Sequence, residues 1–454
     1  EDSGSWWYSR GDLMAKTNSN GWGLKNLLKV PDLKQKLLIT FIILVVVRLG
    51  AQIPIPGVSR DVFANWFEQQ SNSAVGLFDA MTGGSFSQMS IFALSITPYI
   101  TSSIIMQLMT IIIPALEELQ KDQDGREKMK EYTFYVAIGL SALQSIAMGI
   151  GFYRSNNLQE RSIWLMIVCI VALIAGACVL IFLGEEITKH GFGNGISMIL
   201  LFNIVSRLPQ DIKVLADTFV FGKNIVKGGL AVLVIAAVII FMVVFVVYLQ
   251  EGFVKIPVQN SSKVVGRRSV GSAGDNIPFK VNAANVMPVI FASSLMSMPS
   301  LIATFVGKTP GGIPGEIMKV LNQNNWFNMS APVYTIGAVI YAVLVIAFAY
   351  FYISITFNPQ DVAQRLKERG SFIPGHRPGK QTADYLQYIS DSTIVIGAAG
   401  LLIVALIPII VSGLFGADVS FGGTSIIIIV GVIIETIRQM DSQVGERHLS
   451  GIFR

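Results

Sequence analysis

Runs of apolar residues with no polar face are the feature that most narrows what this chain can become. Residues 37–47 (LLITFIILVVV), 230–248 (LAVLVIAAVIIFMVVFVVY) and 336–351 (IGAVIYAVLVIAFAYF) are apolar all round. Helices of that kind need lipid or the middle of a large core, and the number of such runs favours lipid. Ten blocks can be drawn, near 35–51, 87–113, 131–152, 162–183, 192–207, 229–249, 284–305, 330–356, 386–412 and 420–437. Roughly 20 apolar residues carry a helix across the hydrocarbon core; most blocks meet that length, and the fifth is short and glycine-rich. Backbone amides in lipid must be satisfied within the segment, so helices are expected, and the alternation of a membrane barrel is absent. Charged residues make up 14% of the chain, against about 25% in soluble domains. An all-α integral membrane protein is the expected class.

Basic residues set the expected orientation. With ten spans both termini share a side, and 24 of the 34 Lys and Arg residues fall on that side, against 9 opposite and Arg48 within the first span. By the positive-inside rule the termini are cytoplasmic, with inside loops near 114–130, 184–191, 250–283 and 357–385. The net charge of +5 is then mostly topological rather than a nucleic-acid footprint, although contact with ribosomal RNA stays open. Residues 1–20 (EDSGSWWYSRGDLMAKTNSN) are polar and read as an extension outside the fold, with Met14 available as a native start. No cleavable signal peptide is expected, since no A-x-A site flanks the first apolar block. Cys169 and Cys178 lie on opposite sides of one helix, cannot pair within it, and read as small apolar core residues.

Catalytic and ligating patterns are missing. His190, His376 and His448 sit in expected cytoplasmic loops outside any HExxH-type spacing, so no metal or cofactor is expected. There is no GxSxG elbow and no P-loop, and the Gly191–Gly195 run (GFGNG) follows a span rather than a strand. Ion-coupled carriers usually place ionisable groups at mid-membrane. Here Arg48 and Glu435, each near the end of a block, are the exceptions, and both suit snorkelling or an internal pair. A secondary transporter of a small solute is the alternative reading and is poorly supported; an intramembrane hydrolase lacks a nucleophile and base.

Four blocks are instead irregular in a patterned way. Block two carries Ser95, Thr97, Pro98, Thr101, Ser102, Ser103 and Gln107, and block five opens on three glycines and Asn194. Block seven holds two prolines and four serines, and FGGTS (421–425) opens block ten. Small, mildly polar, broken helices normally face other protein or a water-filled cavity. A route lined by branched aliphatics and free of charge could close by dewetting.

Specific segments carry a family resemblance. SIFALSITPYITSSIIMQLM (90–109), FLGEEITKHGFGNGISMIL (182–200), KVNAANVMPVIFASS (280–294), FNPQDVAQRLKERGSFIPGHRPGKQTADY (357–385) and FGGTS (421–425) resemble, in order and at family spacing, the SecY family. That family supplies the channel subunit of the bacterial protein-export translocon. The resemblance covers the chain from about residue 21 to its end. It departs at Ser95, where the family usually carries glycine, at His376, usually aliphatic, and at Leu200, usually isoleucine.

The resemblance implies ten transmembrane helices in two pseudo-symmetric five-helix halves, 21–208 and 209–438, around a central pore, with a cytoplasmic tail at 439–454. It implies a pore ring of Ile96, Ile100, Ile196, Leu200, Ile290 and Ile428 that seals around a moving polypeptide. A plug is implied near 74–85, including Leu77, Phe78, Asp79, Ala80, Met81, Thr82, Gly83 and Gly84, with the two glycines as a flexible joint. A lateral gate would open between spans two and three on one side and seven and eight on the other, with Gln144 as a polar gate residue. Arg267, Arg268 and Arg377 would dock SecA or the ribosome through forked guanidinium bonds. SecE, usually SecG, the translocating polypeptide and membrane lipid complete the implied partners, in the bacterial plasma membrane.

Overall fold

The computed structural model describes residues 31–59, 63, 67, 78–79, 82–121, 123–154, 162–219, 225–260, 263–265, 268–270, 275–306, 312–326, 332–415 and 423–452. Every one of the ten apolar blocks carries a helix. The first half holds α1 (Pro31–Gly50), α2 (Thr97–Ile112), α3 (Pro114–Lys121), α4 (Gln123–Arg154), α5 (Ile163–His190) and α6 (Gly195–Phe219). The second holds α7 (Ile225–Glu251), α8 (Met287–Val306), α9 (Ile313–Leu321), α10 (Ile336–Thr356), α11 (Pro359–Glu368), α12 (Lys380–Phe415) and α13 (Gly423–Ile452). By length and composition alone, four helices among the described residues can cross a membrane, or five if one bent pair counts as a single span.

That bent pair is α2 and α3, which turn by 111° at Ile113. Pro114 pushes the residue before it out of the helical region, and Ile113 is extended at φ −111°, ψ 105°. Block two is also shorter than its apolar run: residues 91–96 are turns, and the helix begins only at Thr97. Block five is longer than expected, because α6 continues through Pro209 to Phe219, across the boundary drawn at 208/209. Likewise α13 runs on through Ile452, so most of the expected tail continues the last span as helix.

Packing divides the bundle into two groups. In the first, α1 packs on α5, α2 on α4, α4 on α5, and α5 on α6; in the second, α8 packs on α10, α10 on α12, and both α7 and α12 on α13. The halves meet along two seams. On one, α8 lies against α4 and α2; on the other, α6 lies against α13 and α7. One large apolar cluster, from Ile43 of α1 to Val432 of α13, bridges both halves. A second cluster caps the first half around Phe63, Phe86 and Phe152, whose rings pack edge to face at 5.4 and 5.8 Å.

An all-helical reading misses one element. The loops 250–283 and 357–385 join in a small sheet of order β4-β1-β5, with β1 (Phe253–Asn260) antiparallel to both β4 (Asp275–Lys280) and β5 (Ser371–Phe372). A separate hairpin pairs β2 (Lys263–Val265) with β3 (Arg268–Val270). Ile256, Val258, Phe279, Ala363, Ile373, Ala383 and Leu386 close a core beneath the sheet, so the two loops are one unit. Truncating fully buried Leu386 to alanine is expected to cost about 2–5 kcal/mol within that unit. Tryptic cleavage of detergent-solubilised protein should then accelerate in both loops together; acceleration in only one would contradict a shared core.

Two short turns feed the central helices. Residues 91–96 precede α2 and 281–286 precede α8, and each contains a non-glycine residue with a left-handed backbone, Ser95 at φ 51° and Asn285 at φ 56°. Asparagine tolerates that region, whereas serine pays roughly 1–2 kcal/mol for it. The Ser95 hydroxyl accepts a hydrogen bond from Asn203 Nδ2 at 3.1 Å, worth roughly 0.5–1.5 kcal/mol, which offsets the strain. Ser95→Gly should therefore leave stability within about 1 kcal/mol of the parent, strain relief balancing the lost bond. Ser95→Val should cost at least about 2 kcal/mol, because a β-branched residue fits the left-handed region badly and strands the Asn203 amide. Thermal unfolding of the two variants in detergent checks this, and equal midpoints would contradict it.

Candidate functional site

The six aliphatic positions named from the sequence lie on four helices of both halves that share one apolar cluster. Ile96 caps the N-terminus of α2, Ile100 lies one turn into it, Ile196 and Leu200 are on α6, Ile290 is on α8 and Ile428 on α13. Five of them, between 1% and 9% exposed, belong to the same buried cluster, and Ile196 is partly buried against it. Ile96 is not on the helix proper; its carbonyl accepts the Ile100 amide at 3.1 Å and so keeps the pair on one side. Ile199 and Ile427, each fully buried in the same cluster, sit beside Leu200 and Ile428 and were not singled out from sequence. Nothing in their residue type distinguishes them from ordinary core.

The surrounding backbone is duplicated. Ser95-Ile96-Thr97-Pro98-Tyr99-Ile100 and Asn285-Val286-Met287-Pro288-Val289-Ile290 superpose by role: left-handed residue, branched aliphatic, helix start with proline next, then the ring isoleucine. The neighbours repeat as well. Gly176 of α5 packs so tightly on the turn that a Cβ would lie 2.1 Å from the Ile91 carbonyl oxygen, and Gly397 of α12 meets the Val281 carbonyl at 2.7 Å in the same sense. Non-helical backbone at this depth is covered by protein, as lipid requires.

Beside the cluster lies a polar group of residues. The Arg207 guanidinium of α6 pairs with the Asp79 carboxylate, both largely buried, and Asp79 Oδ1 also accepts the Ser87 amide at 2.7 Å. Burial pushes the Asp79 carboxyl above the usual carboxylate range, while the Arg207 charge and the Ser87 hydrogen bonds work against that. Arg48 Nη1 of α1 donates to the Gly83 carbonyl at 3.1 Å. Gly83 and Gly84 are left-handed, at φ 69° and 82°, and a Cβ on Gly83 would lie 2.7 Å from the Asn203 carbonyl oxygen. Gly83 is thus a fitted contact, whereas a Cβ on Gly84 would meet only Ser87 Oγ, at 3.8 Å. Phe78 packs edge to face on Phe86 at 5.4 Å. Thr82 is fully buried, its hydroxyl donating to the Asp79 carbonyl at 3.0 Å. Leu77, Ala80 and Met81 lie outside the described residues. Sequence reading left Arg207 among the outer-loop basic residues, and no spacing signal connects it to Asp79.

The remaining positions are separate from this group. Gln144 is half-buried on α4, the helix that meets α8 at the seam between the halves. The Glu435 carboxylate of α13 accepts from Asn285 Nδ2 at 3.4 Å, so this intramembrane acid contacts the second turn. Arg377 is exposed on a tight turn of the unit formed by loops 250–283 and 357–385. Its amide donates to Gln381 Oε1 at 3.2 Å and its carbonyl accepts from Thr382 at 2.9 Å, while neighbouring His376 stacks on Tyr385 at 4.1 Å. Arg268 lies in β3, and Arg267 falls outside the described residues.

Known proteins share this arrangement. The protein translocase subunit SecY of Streptomyces scabiei is 38% identical over 441 residues, covering 94% of this chain and 98% of that one. A solved SecY protein, whose plug domain is described as stabilising the closed state of the translocation channel and maintaining a membrane seal, matches with a TM-score of 0.61 at 21% identity, covering 90% of this chain and 91% of its own. Canine Sec61 in a ribosome–channel complex from the endoplasmic reticulum matches with a TM-score of 0.58 at 19% identity over 90% and 91%. The SecY family model spans residues 90–437, both turns and all six ring positions included, and the chain belongs to the SecY family.

Proposed function

We infer that this chain is the channel-forming subunit of a bacterial Sec translocase, a passive conduit for unfolded polypeptide across the plasma membrane. One observation carries the reading: five of the six branched aliphatic positions, on four helices from both halves, are buried in a single apolar cluster, and Ile196 packs against it. Aliphatic side chains offer no hydrogen bonds, so they exclude water and ions when closed and part around any sequence without holding it. A solute carrier would need a specific polar site there. The intramembrane charges instead meet the protein's own groups, Arg48 at the Gly83 carbonyl and Glu435 at Asn285.

The helix seams supply the second half of the function. Parting of α8 from α2 and α4 opens the bundle sideways and releases hydrophobic segments to lipid, with Gln144 on the parting surface. The cytoplasmic unit is the docking surface. Its backbone holds Arg377 on a fixed turn with the guanidinium in solvent, ready for a carboxylate of SecA or a phosphate of ribosomal RNA. Arg268 of β3 and its sequence neighbour Arg267, which lies outside the described residues, are assigned the same role. The Lys and Arg excess of 24 against 9 supports a cytoplasmic side for this unit and both termini. SecE and SecG complete the complex.

Site-specific crosslinking tests the conduit. With Cys169 and Cys178 replaced by alanine, a cysteine at Ile100 should crosslink to a stalled secretory chain in vesicles containing SecE and SecA, dependent on ATP. A cysteine on exposed Leu233 of α7 should not. No crosslink from any ring position in vesicles that still translocate would sink the pore assignment. For docking, Arg377→Glu should slow SecA-driven translocation about tenfold or more, since truncating one side of an interfacial charge pair costs roughly 2–5 kcal/mol. Its side chain is solvent-exposed, so the fold is kept. Translocation at the parent rate would remove Arg377 from the docking surface.

A further inference from the structure

The left-handed turns that start α2 and α8 are each held by a side chain from the other ring-bearing helix of the same half. In the first half, Asn203 Nδ2 of α6 donates to the Ser95 hydroxyl at 3.1 Å. In the second, Asn285 Nδ2 donates to the Glu435 carboxylate of α13 at 3.4 Å. Both holders stand at the same offset from a ring position: Asn203 lies seven residues beyond Ile196, and Glu435 seven beyond Ile428. That offset is about two helical turns, so holder and ring residue share a face of their helix.

In the second half that face of α13 carries another contact. Gly431 lies on the same side as Ile428 and Glu435, and the Val286 side chain sits on it so closely that a Cβ there would meet Val286 Cγ1 at 2.8 Å. The Val286 carbonyl accepts the Ile290 amide at 3.2 Å, at the start of α8. Contacts therefore run from Glu435 to Asn285, on to Val286, and so to the ring residue Ile290. Helix packing does not supply the same register, because among the described residues α8 packs along α10 and α4 rather than along α13. Ile290 and Ile428 do share the large apolar cluster, but apolar contact is non-directional. Charge also gathers at this place. Burial and Arg438 push the Lys280 ammonium below the usual lysine range, with Glu435 and Glu251 working against them. Arg438 donates to the Gln250 carbonyl at 3.0 Å and to Glu251 at 3.2 Å. Glu435 thus has two separable interactions, a hydrogen bond with the turn and an attraction to Lys280.

We propose that Glu435 is a positioning residue for the seal: by accepting from Asn285 it fixes the turn that launches α8, and so holds Ile290 in register with Ile428 on its own helix. This deepens the reading of the six aliphatic positions as the closure of a protein-conducting channel, and rests on it. Glu435 acts through Asn285 rather than on cargo. Asparagine suits the turn because it tolerates left-handed backbone and offers an amide donor at once. Asn203 is the counterpart of Glu435 in the first half, with a neutral amide in place of the carboxylate.

Resting ion leak tests this, in proteoliposomes of the complete translocase and expressed per folded channel recovered after reconstitution. Glu435→Leu removes the acceptor. Asn285→Asp removes the donor while keeping a residue type that tolerates the left-handed backbone. Each should raise resting anion efflux about fivefold or more over the parent. Glu435→Gln keeps an acceptor oxygen but loses the charge, and should stay within about twofold of the parent. Asn285→Asp combined with Glu435→Gln turns the bond round, the glutamine now donating, and should return efflux to within about twofold as well. A purely structural role would lower the yield of folded complex without raising leak per channel. If Glu435→Leu yields no folded complex, Asn285→Asp and its rescue carry the test. Parental efflux from a folded Glu435→Leu or from Asn285→Asp overturns the proposal. So does Glu435→Gln leaking about fivefold, which would make the attraction to Lys280 the operative interaction. A combined variant that leaks like Asn285→Asp alone overturns it too. The unaltered chain is assayed in the same vesicles for translocation and for the Ile100 crosslink. Failure there overturns the channel reading beneath, whereas success without variant leak overturns the role of Glu435 alone.

Discussion

Hydrocarbon offers no hydrogen bonds, and the rest of this structure follows from how its backbone meets that condition. Ten apolar blocks meet it by becoming helices. The two turns at 91–96 and 281–286 cannot, since their left-handed residues break the ladder just before α2 and α8. They persist because glycines on neighbouring helices allow those helices to cover the exposed carbonyls, Gly176 over Ile91 and Gly397 over Val281. These covered breaks fix α2 to start at Thr97 and α8 at Met287, each within its apolar block.

The apolar cluster and the polar group next to it hold their segments by different chemistry. Aliphatic contacts are short-ranged and non-directional. They do not specify where a separate segment belongs. Ionic and hydrogen-bonded contacts do: Asp79 with Arg207, Ser87 with Asp79, and Arg48 with Gly83 define one seat. Apolar packing and register are thus supplied by different residues on the same helix, Leu200 and Arg207 of α6 being about two turns apart.

In the unit built from the two long loops the same separation appears between scaffold and exposed side chain. The sheet β4-β1-β5 and its apolar core bind two loops that are far apart in sequence into one unit. Stacking of His376 on Tyr385 puts an aromatic face where the family usually carries an aliphatic side chain, and the turn is held all the same. What projects from it is a single arginine with its backbone already satisfied.

Much of this was legible in the amino-acid sequence because it depends on local composition. Apolar length located ten helices, and the motif order identified the family. The repeat was present too, as S-I-T-P-Y-I and N-V-M-P-V-I at 95–100 and 285–290, but two conserved types in six positions carry no weight until both backbones are seen to turn alike. Local sequence misjudged three things: where block two becomes helical, how far α6 runs, and whether the long loops hold strands. In each, contacts from distant segments override local preference, as the tight seat of Gly176 on Ile91 shows. Tertiary structure alone decided the partners of Asp79, Gly83 and Glu435. An ion pair or a close backbone approach depends on positions in space, and residues 128 apart share no periodicity by which a sequence could announce them.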